Sequence, residues 1–243
     1  MTKNRQLLIA GAASMLLLGA CGSDDDSGAD SAAACDAWIA ADDAVIGYLF
    51  TGQGDADSVN AAIDAAIEVA DPEIEQTLID LKASAQPQFA DPESEGSDET
   101  FELYGDTIAW AGDNCDVETL DVTAVDYAFE GVPDELSTGY TVVTFSNEGQ
   151  EQHEMFALRF NDGTTESLEE IVELPEEEVF TKISPVNATW APPGGSDTVS
   201  WNLSEPGRYA IVCFIPVGSV GETEGDGPPH FTQGMVREFT VAS

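Results

Sequence analysis

The side chains in this sequence that could bind a transition metal are few, and they fall near predicted strand ends. Among 243 residues there are two histidines, four cysteines and four methionines. His153 follows the turn SNEGQEQ, Cys213 ends the apolar run RYAIVC, and His230 and Met235 lie in the hexapeptide HFTQGM. Two imidazoles, one thiolate and one weak thioether are the donor set that type 1 copper sites use. The residue types therefore predict a copper site built from His153, Cys213, His230 and Met235.

Each of these residues also has a purely structural interpretation. Alternation places Tyr209, Ile211 and Cys213 on one face of a central strand, where a small buried thiol fits well. Met155 competes with Met235 as a weak ligand, although packing in its strand is the simpler role for Met155. Zinc sites more often have additional cysteine or histidine, and iron-sulfur clusters need more free cysteines than this chain has.

The same scarcity argues against an enzyme. If both histidines bind the metal, no Ser-His-Asp or Cys-His catalytic set can be assembled. A reductase activity would need a second metal site, and no histidine remains to build one. We therefore expect an electron carrier or a binding protein.

The first residues predict export. A secretory signal is predicted at residues 1–20, because the sequence there has a charged zone (MTKNR), then an apolar segment, then a small-residue zone (LGAC). LLGAC resembles the lipobox of bacterial lipoproteins, which implies a lipid on the Cys21 sulfur; an ordinary signal followed by a stray cysteine is the alternative. Residues 21–34 are small and acidic and predict a flexible tether. The expected location is extracytoplasmic, anchored to the cell membrane through the lipid.

Two further cysteines predict a disulfide. Cys35 lies on the first helical stripe and Cys115 at the end of the last one, so a bond between them would tie the terminal helices of a small bundle together. Two unpaired buried thiols are the alternative. If the bond forms and Cys21 carries a lipid, Cys213 is left as the single free thiol.

Charge excludes one class of partner. Lys and Arg total 7 against 47 Asp and Glu, which gives a formal net charge of −40. Such a surface repels nucleic acid and anionic lipid headgroups. A solvated acidic coat is the simplest interpretation, and attraction to a cationic partner is the functional one.

The apolar period changes in the middle of the chain, which predicts two domains of different class. Residues 35–116 show four apolar stripes at helical spacing, with a loop from Gln86 to Asp98. Residues 117–243 alternate with period two in about seven runs, and only SLEEIVEL, with Ser167 and Glu170 as a capping box, predicts a helix. The predicted fold class is α+β in separate domains, a small helical bundle followed by a β-sandwich.

The second domain resembles the cupredoxins, the plastocyanin-like blue copper proteins. The resemblance is carried by Asn147-x-Gly149 before His153, by Tyr209-x-x-x-Cys213, and by the motif H-x-x-x-G-M that begins at His230. HFTQGM is especially similar to the type 1 copper loop of copper nitrite reductases. The resemblance implies a Greek-key β-sandwich with the four copper ligands named above. The chain departs from the family in the sixteen residues between Cys213 and His230 and in having Glu154 after His153.

The function that the resemblance implies is transfer of single electrons between extracytoplasmic redox partners, such as a c-type cytochrome. A different class of function is copper capture and delivery without redox exchange, or a cupredoxin fold used only for protein contacts. The helical domain is expected to be a spacer or a partner-docking module.

Overall fold

A computed structural model of the chain describes residues 26–243 with the exception of 51, 92, 93, 95 and 222. The predicted signal peptide and the lipidation site Cys21 lie outside these described residues. Across the described part of the chain, no helix is both long enough and apolar enough to cross a bilayer.

Helices fill the first part of the described chain. They are α1 (Asp26–Phe50), α2 (Ala56–Glu68), α3 (Glu75–Ser84), α4 (Gln86–Ala90) and α5 (Asp98–Asn114). Helix α2 begins with a capping box in which Asp55 is the N-cap residue and Ser58 is its N3 partner. Ser97 caps α5 in the same position by accepting from the Thr100 N–H at 3.1 Å.

Strands fill the second part. They are β1 (Glu118–Val125), β2 (Ala128–Glu130), β3 (Glu135–Ser137), β4 (Gly139–Asn147), β5 (His153–Phe160), β6 (Ile183–Ala191), β7 (Ser196–Leu203), β8 (Gly207–Val212) and β9 (Val236–Ala242). Two short helices, α6 (Leu168–Val172) and α7 (Glu176–Lys182), connect β5 to β6. The predicted order of a helical part followed by a β-sandwich is confirmed.

The sandwich consists of two mixed sheets. The first has the order β2-β1-β4-β7 and the second the order β3-β9-β8-β5-β6. The pairs β1–β4 and β3–β9 are parallel, and the remaining pairs are antiparallel. Strand β8 lies between β9 and β5, so it is buried on both faces, as its unbroken apolar run predicts.

Several boundaries differ from the sequence-based expectation. Helix α1 begins at Asp26, inside the segment 21–34 for which composition predicts a tether, because the alanines before Cys35 favour helix and Ala34 is buried. Helix α4 occupies the start of the predicted loop, where Phe89 packs into the core and Pro87 suits a first helical turn. Phe101, an apolar residue of α5, is 58% exposed. The predicted capping box of Ser167 and Glu170 does open α6.

The helical part is closed by the predicted disulfide. Cys35 and Cys115 are bonded, with an S–S distance of 2.03 Å and 80 residues of sequence separation. Cys213 is the free cysteine of the described chain, and it is buried. The expectation that Cys35 pairs with Cys115 is confirmed.

One buried carboxyl group joins the helices to the first sheet. Asp42 on α1 accepts hydrogen bonds from Tyr104 Oη on α5, from Tyr140 Oη on β4 at 3.0 Å and from Ser200 Oγ on β7 at 2.6 Å. Burial raises the pKa of Asp42 to about 6, although these three hydrogen bonds oppose the rise and the neighbouring Asp43 adds to it. A carboxyl group on one helix thus links both halves of the structure.

This linkage predicts a specific dependence of stability on pH. Because the folded-state pKa of Asp42 is raised, its contribution to stability is complete below about pH 4 and is lost as the pH rises through 6. Between pH 4 and 7 the free energy of unfolding of the wild type should fall by about 3 kcal/mol relative to Asp42→Asn. Denaturant unfolding at each pH measures this difference. Asp106→Asn, an exposed change on α5, should follow the wild type; parallel profiles for Asp42→Asn and wild type would contradict the linkage.

Candidate metal centre

The predicted ligand residues meet at one end of the sandwich, where three neighbouring strands of the second sheet begin or end. His153 is the first residue of β5, Cys213 follows the last residue of β8, and His230 opens a 3₁₀ helix (His230–Gln233) just before β9. Because β8 pairs with β5 on one side and β9 on the other, the three positions converge at the same edge. The pairing is continued by the Cys213 N–H, which donates to the Met235 carbonyl at 3.2 Å.

The three side chains bring one donor atom each to a common point. The two Nδ1 atoms of His153 and His230 are 3.1 Å apart, and Cys213 Sγ is 3.3 Å from His230 Nδ1. All three donor atoms lie within 4.8 Å of one another, and all three residues are fully buried. Separations of this size suit ligands of one ion with metal–ligand bonds of about 2.0–2.3 Å.

Carboxylates occupy the outer nitrogen of each imidazole. His153 Nε2 is 3.0 Å from Asp126 Oδ1, and His230 Nε2 is 3.1 Å from Glu151 Oε2. Burial alone would raise the pKa of both carboxyl groups, but hydrogen bonds hold the pKa of each below its ordinary value: backbone N–H groups and His153 for Asp126, and Gly218, His230 and Tyr127 for Glu151. The carboxylates are therefore ionised at neutral pH and accept a hydrogen bond from each Nε2–H.

This arrangement leaves the inner nitrogen of His153 without a proton to share. Burial lowers the pKa of His153, so its ring is neutral at pH 7 with the proton on Nε2. The Nδ1 lone pair of His153 then points towards Nδ1 of His230, whose own Nε2 faces a carboxylate. The Cys213 thiol can donate to only one of the two nitrogens. A cation at the common point would accept all three lone pairs.

Burial also sets the protonation state of the Cys213 thiol. It raises the pKa of Cys213 to about 11, against hydrogen bonds that lower it, so the sulfur is protonated at neutral pH when no metal is bound. The Glu154 N–H donates to Cys213 Sγ at 3.3 Å, and the Glu154 carboxylate accepts from the Phe214 N–H at 3.2 Å. Glu154, the residue that departs from the family pattern, thus holds the cysteine segment against β5 through both its backbone and its side chain.

The turn before His153 is shaped by two residues of the predicted motif. Asn147 is buried and donates through Nδ2 to the carbonyls of Glu151 and Ala191, both at 2.8 Å, while its Oδ1 accepts from the Gly149 N–H at 2.8 Å. A Cβ added to Gly149 would lie 2.6 Å from His153 Nε2. Glycine is therefore required here because the turn passes directly over the imidazole.

The sixteen residues between Cys213 and His230 fold back on themselves. Pro216 and Pro229 form an antiparallel bridge, and the Val217 N–H donates to the Pro228 carbonyl at 3.0 Å. The His230 N–H then donates to the Ile215 carbonyl at 2.9 Å. The insert leaves and returns at nearly the same place, so its length does not separate His230 from Cys213.

Two methionines belong to the same buried cluster as Cys213. Met235 and Met155 are fully buried, and both belong to the apolar cluster that contains Cys213. The backbone of Met235 is tied to two ligand residues, since its N–H donates to the His230 carbonyl and its carbonyl accepts from Cys213, each at 3.2 Å. Met235 remains the predicted axial ligand on this ground.

The residues fit a type 1 copper ion. Two imidazoles and one cysteine sulfur in a compact buried group match the preference of copper for this set, whereas catalytic zinc sites keep a position open to solvent or substrate. His153, Cys213 and His230 would hold the ion.

Solved structures similar to this one include blue copper proteins. An auracyanin from Roseiflexus castenholzii in its dithionite-reduced form is 22% identical, covers 51% of this chain and 97% of its own, and has a TM-score of 0.35. Auracyanin A, a "blue" copper protein from Chloroflexus aurantiacus, is 14% identical over 51% of this chain and 98% of its own, also with a TM-score of 0.35. A copper-containing nitrite reductase from Thermus scotoductus is 11% identical over 51% and 31%, with a TM-score of 0.29. No sequence-family model and no curated protein matches this chain.

Sequence reasoning missed the two carboxylates and the aromatic residue beside them. Asp126 and Glu151 are two acids among 47, so their types carry no signal. Tyr127 donates to Glu151 at 3.0 Å and meets the His230 ring edge-on, with 5.1 Å between ring centroids. The one available clue is that Glu151 falls in the turn between Gly149 and His153.

The Glu151 carboxylate should strengthen binding of Cu(II). An anionic acceptor raises the basicity of its imidazole, so Glu151→Gln, which keeps the shape but removes the charge, should weaken Cu(II) affinity by about 10-fold or more. Competition with a chelator of known affinity measures the change. Glu148→Gln removes the same charge from an exposed position of the same turn and should leave the affinity unchanged. Equal affinities for the two variants would show that the Glu151 contact has no electronic role.

Proposed function

We propose that this protein is an exported, lipid-anchored type 1 copper protein that carries single electrons between extracytoplasmic redox partners. The observation that carries the proposal is the convergence of His153, Cys213 and His230 in a fully buried group with both outer imidazole nitrogens already bonded.

The structure of the site favours electron transfer over catalysis. A substrate needs an open position on the metal or a cleft beside it, and all three donor residues have no exposed surface. Both histidines of the chain are used, so a second histidine-based metal site cannot be built. When bound, copper would supply a one-electron couple between Cu(I) and Cu(II).

The protein's own contribution is rigidity. Asp126 and Glu151 fix the imidazole planes from outside, and the Glu154 N–H fixes the sulfur. Ligands that are held by hydrogen bonds before the metal arrives move little when its charge changes, and these contacts also tune the reduction potential.

The cellular location is supported by two independent features. The N-terminal sequence has the zones of a lipoprotein signal that ends at Cys21. The Cys35–Cys115 disulfide is a bond that persists in oxidising compartments and is rare in cytosolic proteins. Anchoring would keep the carrier at the membrane surface, where its partners would also be found.

Reconstitution of the purified protein with Cu(II) tests the metal assignment. An intense blue thiolate-to-copper absorption should appear at one equivalent, and it should be absent in Cys213→Ala. Met155→Leu, a volume-conserving change in the same cluster, should keep the colour if Met235 is the axial ligand. Copper bound without colour would replace the carrier with a capture or delivery protein, and no binding would leave only a protein-interaction role.

The surface charge makes a prediction about the partner. With 47 acidic and 7 basic residues, the protein should exchange electrons fastest with a cationic c-type cytochrome at low salt. The bimolecular rate constant in stopped-flow should fall by roughly 10-fold or more as ionic strength rises from about 0.01 to 0.5 M. The same cytochrome with acetylated lysines should react slowly at every salt concentration. A rate that is insensitive to salt would exclude steering by the acidic surface.

A further inference from the structure

A second site lies between the helices and the sandwich, away from the metal centre. A cavity of about 110 Å³, open to solvent on one side, is bounded by helices α1 to α5 and by strands β6 and β7. Its lining includes Trp38, Leu81, Phe89, Phe101, Ala188 and Val199. This is the size range of cavities that take one small aromatic molecule, since a cavity of about 150 Å³ binds benzene.

Several polar side chains in the walls of the cavity already have hydrogen-bond partners. The Tyr104 hydroxyl donates to Asp42, the Asn187 amide donates to the Ser200 carbonyl at 2.9 Å, and the Asp197 carboxylate accepts from Thr189 and from the Thr198 N–H. None of the described residues that line it is a lysine or an arginine. An anionic ligand would therefore meet no counter-charge here.

Trp38 places a buried, unpaired donor in this wall. It is 1% exposed, it lines the cavity, and its Nε1–H has no hydrogen-bond partner in the described part of the chain. A buried N–H without an acceptor is unfavourable, and native structures normally provide one. The indole N–H that lacks an acceptor therefore belongs to a residue that lines the cavity.

We infer that this cavity binds a neutral aromatic molecule that carries a carbonyl oxygen, and that the oxygen accepts the hydrogen bond from Trp38 Nε1. The aromatic body would pack among Trp38, Phe89 and Phe101, whose rings prefer offset or edge contacts with another ring. Phe101 is 58% exposed at the mouth, so a bound ring would also cover apolar surface that is now in contact with water. A single ligand accounts for the volume, the apolar lining and the unpaired donor together.

The proposal predicts a difference between two probes of nearly the same shape. 2-Acetylnaphthalene has a carbonyl acceptor, and 2-ethylnaphthalene does not. In the ¹⁵N-labelled full chain without copper, the ketone should move the indole N–H signal of Trp38 downfield and bind about 2- to 10-fold more tightly than the hydrocarbon, which is the ratio that one net hydrogen bond gives. Trp38→Phe assigns the signal and should reduce the affinity for the ketone to that for the hydrocarbon.

Two matched alanine changes locate the site. Ala188→Leu adds a side chain at the cavity wall and should weaken both probes by about 10-fold or more, whereas Ala242→Leu, at a similarly half-buried strand position outside the lining, should leave both affinities unchanged. Unchanged signals of the other three tryptophans report that each variant is folded. Equal affinity for the two probes, or binding that Ala188→Leu does not weaken, would overturn the proposal, as would an absence of any shift at the solubility limit of the ketone.

Discussion

The close approach of two imidazole nitrogens and one sulfur, all buried from water, is the constraint on which the rest of this sandwich depends. Donor atoms with lone pairs repel one another at 3.1 and 3.3 Å unless protons or a cation lie between them. Asp126 and Glu151 accept from the outer nitrogens, and the proton of the Cys213 thiol can bridge only one of the inner contacts. The fold therefore prepares a group that only a cation can satisfy in full.

The insert before His230 shows how a long loop can serve a short-range requirement. Loop-closure entropy grows only slowly with length, so sixteen residues cost little more than a few would. The two ends of the loop must lie close together. They are held there by the Pro216–Pro229 bridge and by the hydrogen bond from the His230 N–H to the Ile215 carbonyl. The loop also contributes to the site, because the Gly218 N–H donates to the same oxygen of Glu151 that accepts from His230. The insert is thus part of the wall that excludes water from the donors.

The sequence predicted the parts of this structure in which residue type and spacing are scarce or periodic. His153, Cys213 and His230 could be grouped because the chain offers few alternatives, and Asn147-x-Gly149 could be recognised through the resemblance to the cupredoxin pattern. Asp126 and Glu151 could not be found, since their role depends on which two of many acids the chain folds beside the imidazoles. Asp42 is a similar case: an acid on a helical stripe predicts a solvent-facing position, and only the packing of α1 against β4 and β7 buries it. Local periodicity carries no information about such long-range partners.

The helices are joined to the sandwich too closely to act as a loosely tethered module. Asp42 has partners on α5, β4 and β7, and Asn202 of β7 donates to Asp43 at 2.6 Å. The fully buried hydrogen bonds to Asp42 are sensitive to geometry. If one half moved away from the other, the Asp42 carboxyl group would be left without partners in an apolar layer. The same interface contains a cavity and an unpaired indole N–H, which both reduce stability. The disulfide acts in the opposite direction: closing a loop of 80 residues is worth about 4–5 kcal/mol in the chain-entropy account. Because of the disulfide, the helical half can remain folded even though its interface with the sheet is imperfectly packed and contains an open cavity.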